Sequence, residues 1–207
     1  MRIKGFAGSR TLNSSNWRRI FIGKVCLLEI DSRLFGMLAK RPTASRPLSR
    51  EFPSMMPKDL KDLLRAFNEH GVRYLVVGGY AFGVHAEPRA TKDLDLLIRS
   101  DEGNSAAVYR ALTQYGAPLD GLSPRDFMDG STFQVGQPPA RVDILQRIDG
   151  LTFDEAWQNR IEGLIDGEVQ INVISKADLI RNKLASGREQ DVLDVKKLRT
   201  PAGTDRT

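Results

Sequence analysis

The chain has 207 residues, of which 41% are hydrophobic, and a formal net charge of +5. This length fits one domain with or without an arm, and the hydrophobic share suffices for a core. The single cysteine excludes an intrachain disulfide and suits a cytoplasmic protein, and two histidines are too few for a Cys/His zinc cluster. No apolar run approaches the roughly 20 residues of a membrane span, so no membrane partner is expected.

The positive charge belongs to the N-terminal region. Residues 1–57 contain 11 Lys and Arg against 3 Asp and Glu, whereas the remainder carries a net charge of −3. This region could be a targeting peptide, a nucleic-acid-contacting tail, or sequence upstream of a true start at Met55 or Met56, and we favour the last. The predicted organisation is a basic, disordered arm at 1–57, a single domain at 58–200 and a frayed tail at 201–207.

Hydrophobic periodicity and turn residues predict six helices and five strands in the body of the chain. The helices are expected at 57–69, 79–85, 101–115, 152–160, 176–185 and 189–198. The strands are expected at 73–77, 93–98, 132–135, 141–145 and 169–173. This order predicts an α/β or α+β fold, in which a small mixed sheet is flanked by helices.

Two glycines and two aspartates stand out in the middle of the chain. Gly78 and Gly79 follow a buried strand and open a helix, where backbone amides and the helix N-terminus suit a phosphate. Asp93 and Asp95 alternate along a strand, so their carboxylates share one face. Like charges this close favour a bound divalent metal ion. Arg89, just upstream, is expected either to contact phosphate or to neutralise Asp93.

A third aspartate lies in a strand that otherwise looks buried. Asp143 is flanked by apolar residues, so it must either pair with Arg141 or Arg147 or bind a ligand. If its strand lies beside that of the aspartate pair, three carboxylates converge. Three such oxygen donors suit Mg²⁺ or Mn²⁺, and the glycine turn suits the phosphates of an NTP. The pattern therefore predicts a site for a metal-bound nucleoside triphosphate.

The order of these features is similar to that of the nucleotidyltransferase superfamily of the DNA-polymerase-β type. The shared pattern is an apolar strand, Gly-Gly, a short helix, Asp-x-Asp and a later lone aspartate. The run RATKDLDL at 89–96 resembles small bacterial nucleotidyltransferases, which include the AbiEii-like abortive-infection toxins. The segment SKADLIRNKLASGREQDVLDVKKLR at 175–199 resembles the end of these proteins. Aminoglycoside and lincosamide nucleotidyltransferases share the same core.

The resemblance implies a role for each candidate residue. It makes Asp93, Asp95 and Asp143 the metal ligands and the catalytic carboxylates. It assigns Gly78 and Gly79 to the triphosphate. It also implies that Lys183 and Asp191 serve the nucleotide. From the spacing alone, Lys176 lies two helical turns before Lys183 on the same face, where the two lysines could line a phosphate groove.

The resemblance further implies a nucleotidyltransferase that moves an NMP from an NTP to an acceptor hydroxyl. Its AbiEii-like character indicates the toxin of a toxin–antitoxin pair, with a cognate antitoxin as partner and a tRNA or a protein as acceptor. Two alternatives stay open. One is a catalytically inactive or regulatory nucleotide-binding protein of the same fold, and the other is an aminoglycoside or lincosamide nucleotidyltransferase.

Overall fold

The computed structural model describes residues 17–20, 51–52, 56–87, 91, 93–137 and 140–200. The helices are α1 (Lys58–Glu69), α2 (Gly78–His85), α3 (Glu102–Tyr115), α4 (Phe153–Gln158), α5 (Lys176–Ser186) and α6 (Glu189–Arg199), with a short 3-10 helix at Pro124–Phe127. The strands are β1 (Trp17–Ile20), β2 (Glu51–Phe52), β3 (Tyr74–Val76), β4 (Asp93–Ile98), β5 (Thr132–Gln137), β6 (Ala140–Leu145), β7 (Ile161–Ile165) and β8 (Val169–Val173).

All eight strands belong to one mixed sheet with the order β1-β5-β6-β4-β3-β8-β7-β2. Six strands form its centre, and the short β1 and β2 lie at its two edges. β4 pairs with β6, and β3 with β8, in parallel, whereas β3 and β4 are antiparallel. The predicted mixed sheet flanked by helices is therefore confirmed.

The alternation of β4 explains how the sheet separates its core from its polar residues. Leu94 and Leu96 are fully buried, whereas Asp93 and Asp95 are only partly buried. Successive side chains of a strand point to opposite faces, so the leucines join the core and the aspartates share the other face.

Two groups of helices pack against the sheet. α1 presents the predicted apolar face of Leu60, Leu63, Leu64 and Phe67, all with 0% exposure, and it packs beside α3. α2 contacts β4, α5 and α6, and α5 packs against α6. The aspartate face of β4 therefore lies next to the start of α2 and the C-terminal helix pair.

The helices α1 to α6 agree with the sequence predictions, but three of the described strands were not predicted: β7, and the short β1 and β2 within the predicted disordered arm. β7 forms an antiparallel hairpin with β8. Asp166 and Gly167 both have positive φ, and the Glu168 N–H donates to the Ile165 carbonyl across this turn. An Asp-Gly pair is a recognised hairpin signal, so the turn itself could have indicated the strand.

The predicted arm and tail lie largely outside the described residues. Of the arm, β1 pairs with β5 and β2 pairs with β7, while Phe52 and Met56 are each 8% exposed and belong to the core. Within the described part of the chain, no helix is both long and apolar enough to cross a membrane.

Candidate active site

The structure brings the three predicted aspartates together on β4 and β6. In this parallel pair, Asp95 lies opposite Asp143, and Asp93 lies opposite Arg141. Register partners on neighbouring strands point to the same face of the sheet, so the carboxylates form a continuous acidic row. Asp143 is only 6% exposed. The condition set by the sequence, that the strand of Asp143 lie beside that of Asp95, is met.

The glycine turn lies directly against this row. Gly78 has a φ of +60°, and a Cβ atom built on it would come within 1.9 Å of Asp95 Oδ2. A side chain there would collide with the carboxylate, so only glycine fits. The backbone N–H of Gly79 donates a hydrogen bond to Asp95. The turn and the start of α2 therefore position Asp95 and place the positive end of a helix dipole at the site.

Burial and mutual repulsion raise the pKa values of Asp95 and Asp143. Desolvation, together with the charge of Asp143, raises the pKa of Asp95 to about 7, and the hydrogen bond from Gly79 offsets part of this. Burial also raises the pKa of Asp143, and the hydrogen bond from Gln134 opposes that increase. Two neighbouring carboxylates whose pKa values are both raised by burial form a site that a cation would stabilise.

Two side chains that were not predicted as site residues donate hydrogen bonds to this carboxylate row. Gln134 on β5 is the register partner of Asp143, and its Nε2 donates to Asp143 Oδ1 at 3.0 Å. Arg141 donates from Nη2 to Asp93 Oδ2. Gln134 stands on the same alternation as Thr132 in the strand TFQVGQ, which was the available signal for a residue facing the site.

Lys183 and Asp191 are placed in a buried ion cluster between α5 and α6. Lys183 is 3% exposed, and its Nζ lies 2.7 Å from Asp191 Oδ1 and 2.8 Å from Asp194 Oδ2. Because its ammonium group is taken up by these two carboxylates, Lys183 does not line an open phosphate groove with the exposed Lys176. Burial raises the pKa of Asp191, but the bonds from Arg188 and Lys183 outweigh this and lower it below its usual value.

Arg188 links this cluster to the carboxylate row. Its Nε donates to Asp191 Oδ2 at 2.6 Å, while its side chain is 74% exposed. The positive charge of Arg188 lowers the pKa of Asp95, so the guanidinium lies within electrostatic reach of the site. Arg89, the remaining candidate, lies outside the described residues.

The donor set fits a hard divalent cation, although the three carboxylates are not arranged as a ready-made ion site. Among the residues that the structure describes, no group of three or more His, Cys, Asp or Glu side chains is poised to hold a metal ion. Asp93 faces Arg141 instead. However, its other oxygen, Oδ1, is buried and has no hydrogen-bond partner within the described residues. An orphaned carboxylate oxygen beside two repelling carboxylates is consistent with a site that gains a cation.

The fold thus places carboxylates on two adjacent parallel strands, next to a glycine turn that opens a helix. The chain belongs to the family described as nucleotidyltransferases of unknown function (DUF6036), whose family model matches residues 55–200. The predicted enzyme class is thereby confirmed.

Several solved structures are similar to this chain, and one of them is an adenylyltransferase. The chain is similar to the crystal structure of the lincosamide antibiotic adenylyltransferase LnuA with lincomycin bound. The two are 19% identical, the match covers 70% of this chain and 98% of that one, and the TM-score is 0.47. No curated protein matches the sequence.

Proposed function

We propose that this chain is a metal-dependent nucleotidyltransferase that transfers an NMP from an NTP to a hydroxyl group of an acceptor. The observation that carries the proposal is the pairing of Asp95 with Asp143, with Gly78 packed against the Asp95 carboxylate. This arrangement concentrates negative charge where the backbone can closely approach a phosphate. A site of this kind suits a nucleotide that arrives with divalent cations.

Asp93, Asp95 and Asp143 would hold Mg²⁺ or Mn²⁺ through their carboxylate oxygens. When bound, such ions neutralise the triphosphate and stabilise the charge on the attacking and leaving oxygens. The N-terminus of α2 at Gly78 and Gly79 would favour the phosphates through its dipole.

The chain's own residues account for the proton. The acceptor oxygen bonds to the α-phosphorus, the bond from this phosphorus to the bridging oxygen of the β-phosphate breaks, and pyrophosphate leaves. Asp143 would accept the proton of the attacking hydroxyl, because burial raises its pKa and makes it a stronger base than an exposed carboxylate. Gln134 holds one oxygen of Asp143 and so orients the other.

Lys183 and Asp191 would serve the nucleotide indirectly. Their buried ion pair locks α5 against α6, and Asp191 also holds the exposed Arg188. Arg188 is the exposed member of this cluster, so its guanidinium would contact a phosphate, and Arg89 is the second arginine that we propose for this role. In this interpretation Lys183 and Asp191 are positioning residues.

The proposed biological role is that of an AbiEii-like toxin in a toxin–antitoxin pair, acting in the cytoplasm. The run RATKDLDL and the C-terminal segment at 175–199 support this role through their resemblance to that branch. A cognate antitoxin would be the partner, and a tRNA or a protein the acceptor. A catalytically inactive regulatory protein, or an enzyme that modifies an aminoglycoside or a lincosamide, would be distinguished by the acceptor assay.

The assay supplies the full-length chain with Mg²⁺ or Mn²⁺ and each NTP labelled at the α-phosphate. Total tRNA, a cell lysate, lincomycin and an aminoglycoside are offered as acceptors. We expect label transfer to one acceptor class, with no transfer by Asp95→Asn or Asp143→Asn and normal transfer by the exposed control Asp120→Asn. Transfer that persists in EDTA or in both site variants would refute the proposed metal-dependent site, and absence of transfer to every acceptor would favour the regulatory protein.

A further inference from the structure

An ion pair closes one end of the carboxylate row. Arg141 and Asp93 are register partners on β6 and β4, and Arg141 Nη2 donates to Asp93 Oδ2. Their side chains are 29% and 22% exposed, so solvent screens the pair only in part. The guanidinium therefore supplies the positive charge that Asp93 would otherwise lack.

The pair leaves one edge of each group unsatisfied. Asp93 Oδ1 and Arg141 Nε are both buried, and neither finds a hydrogen-bond partner among the described residues. An arginine and a carboxylate often satisfy both edges through two parallel bonds, which this pair does not do. Buried polar atoms without partners are rare, and a bound ligand, ion or water would satisfy these two.

The two missing partners have opposite chemistry. A carboxylate oxygen would accept a cation, and a guanidinium nitrogen would donate to an anionic oxygen. A divalent cation that carries a polyphosphate supplies both at once. A divalent cation alone supplies only the first, and it must compete with the guanidinium for Asp93.

We propose that Arg141 is a built-in counter-ion that competes with the divalent cation for Asp93, and that a nucleotide phosphate releases Asp93 by accepting the guanidinium. This inference rests on the proposed function and adds a residue to it. Ion binding then depends on the nucleotide, because only the ion–nucleotide pair replaces both halves of the Arg141–Asp93 interaction. The competition also accounts for the lack of three poised carboxylates among the described residues.

The test is a titration of the full-length chain with Mn²⁺, in which electron paramagnetic resonance measures free Mn²⁺. It is performed with and without a nucleotide analogue whose bridge between the α- and β-phosphates cannot be cleaved. The variants are Arg141→Met, which removes the charge, and Arg141→Lys, which keeps it. Arg147→Met, at an exposed arginine beyond the end of β6, is the matched control.

Without nucleotide, we expect Arg141→Met to bind Mn²⁺ about tenfold more tightly than the wild type, because a nearby positive charge is removed. Arg141→Lys and Arg147→Met should stay close to the wild type. The analogue should tighten Mn²⁺ binding to the wild type far more than to Arg141→Met. This readout needs no turnover.

The opposite outcomes are equally specific. A folded Arg141→Met variant that binds Mn²⁺ no more tightly than the wild type would overturn the competition. If that variant fails to fold, the wild type by itself still tests the proposal. Equal Mn²⁺ affinities of the wild type with and without the analogue would overturn it. Mn²⁺ binding by the wild type, unaffected by nucleotide, would defeat only this inference, whereas no binding in any sample would also defeat the proposed metal dependence.

Discussion

Replacing Asp95 with asparagine should make the metal-free protein more stable at neutral and alkaline pH. Asparagine has nearly the same shape and keeps an oxygen that can accept the hydrogen bond from the Gly79 N–H. It removes the negative charge that burial and Asp143 oppose. A substitution that abolishes the proposed activity is therefore expected to stabilise the fold, as is common where a site is strained for function.

The magnitude follows from the pKa of Asp95, which rises from 3.8 to about 7 in the folded chain. Each pKa unit corresponds to about 1.4 kcal/mol, so ionising Asp95 costs the native state about 4 kcal/mol relative to the unfolded chain. The folded pKa lies above the unfolded one. The native state therefore holds this proton more tightly than the unfolded chain. The stability that protonated Asp95 contributes is fully present below about pH 4 and is lost as the pH rises to about 7. Because the asparagine must also be desolvated, we expect a gain of about 2–4 kcal/mol at about pH 8.

The assay is urea unfolding in EDTA at a series of pH values from about 5 to 8. The stability difference between Asp95→Asn and the wild type should grow with pH across this window, whereas the exposed control Asp120→Asn should show no such trend. Adding Mg²⁺ together with the uncleavable nucleotide analogue should stabilise the wild type and do much less for Asp95→Asn, because ligands stabilise the state that binds them.

A variant that is no more stable than the wild type at about pH 8 would refute the reasoning. A gain that is the same at every pH would refute it as well, because the effect would then not come from the ionisation of Asp95. Either result would mean that burial and the charge of Asp143 do not raise the pKa of Asp95 in the folded protein.

Three further predictions follow from other parts of the structure. Gly71→Ala should lose about 1–2 kcal/mol of stability, because the φ of Gly71 is +66° and no atom lies near the new Cβ. Gly78→Ala should lose more stability and abolish activity, because its Cβ collides with Asp95. Denaturant unfolding compares the two variants, and equal losses would contradict the collision. Gln134→Leu should remove the hydrogen bond that lowers the pKa of Asp143, so the acid limb of the pH–rate profile should move to higher pH. The control Gln137→Leu, at an exposed glutamine, should leave the limb unchanged. An unchanged limb in Gln134→Leu would argue against Asp143 as the base. Lys183→Met should lower the free energy of unfolding by about 3–5 kcal/mol, because Asp191 and Asp194 are then buried without a positive partner. The substitution Lys176→Met, at an exposed lysine, should change it by no more than about 0.5 kcal/mol. Similar melting temperatures for the two variants would contradict the buried cluster.

The residues of the carboxylate row could be predicted from the sequence, but the pairing of their strands could not. The alternation of Asp93 and Asp95 determines that they share a face, because the period of a strand is two. It does not determine which strand lies beside them, since parallel neighbours are joined by a long crossover. The adjacency of Asp95 and Asp143 could therefore be stated only as a condition, and the roles of Arg141 and Gln134 depended on the same pairing.

Local patterns were weaker guides where an interaction was decided by packing. Lys183 falls on the same helical face as Lys176, and this pattern suggested an exposed basic groove. The structure instead turns Lys183 inward, because Asp191 and Asp194 of α6 offer it two carboxylates. β7 was missed because Glu162 and Gly163 interrupt its apolar pattern, and its strand conformation comes from pairing with β8.

The parallel pairing of β4 with β6 has a consequence for how the protein matures. Asp93 and Arg141 are 48 positions apart along the chain, so Asp93 and Asp95 leave the ribosome well before β6 has been synthesised. During that interval the nascent chain cannot combine Asp95 with Asp143 or provide Asp93 with its guanidinium. The site therefore emerges as a single unit only after β6 has docked, and a prematurely terminated product would carry the Asp-x-Asp motif without a functional centre.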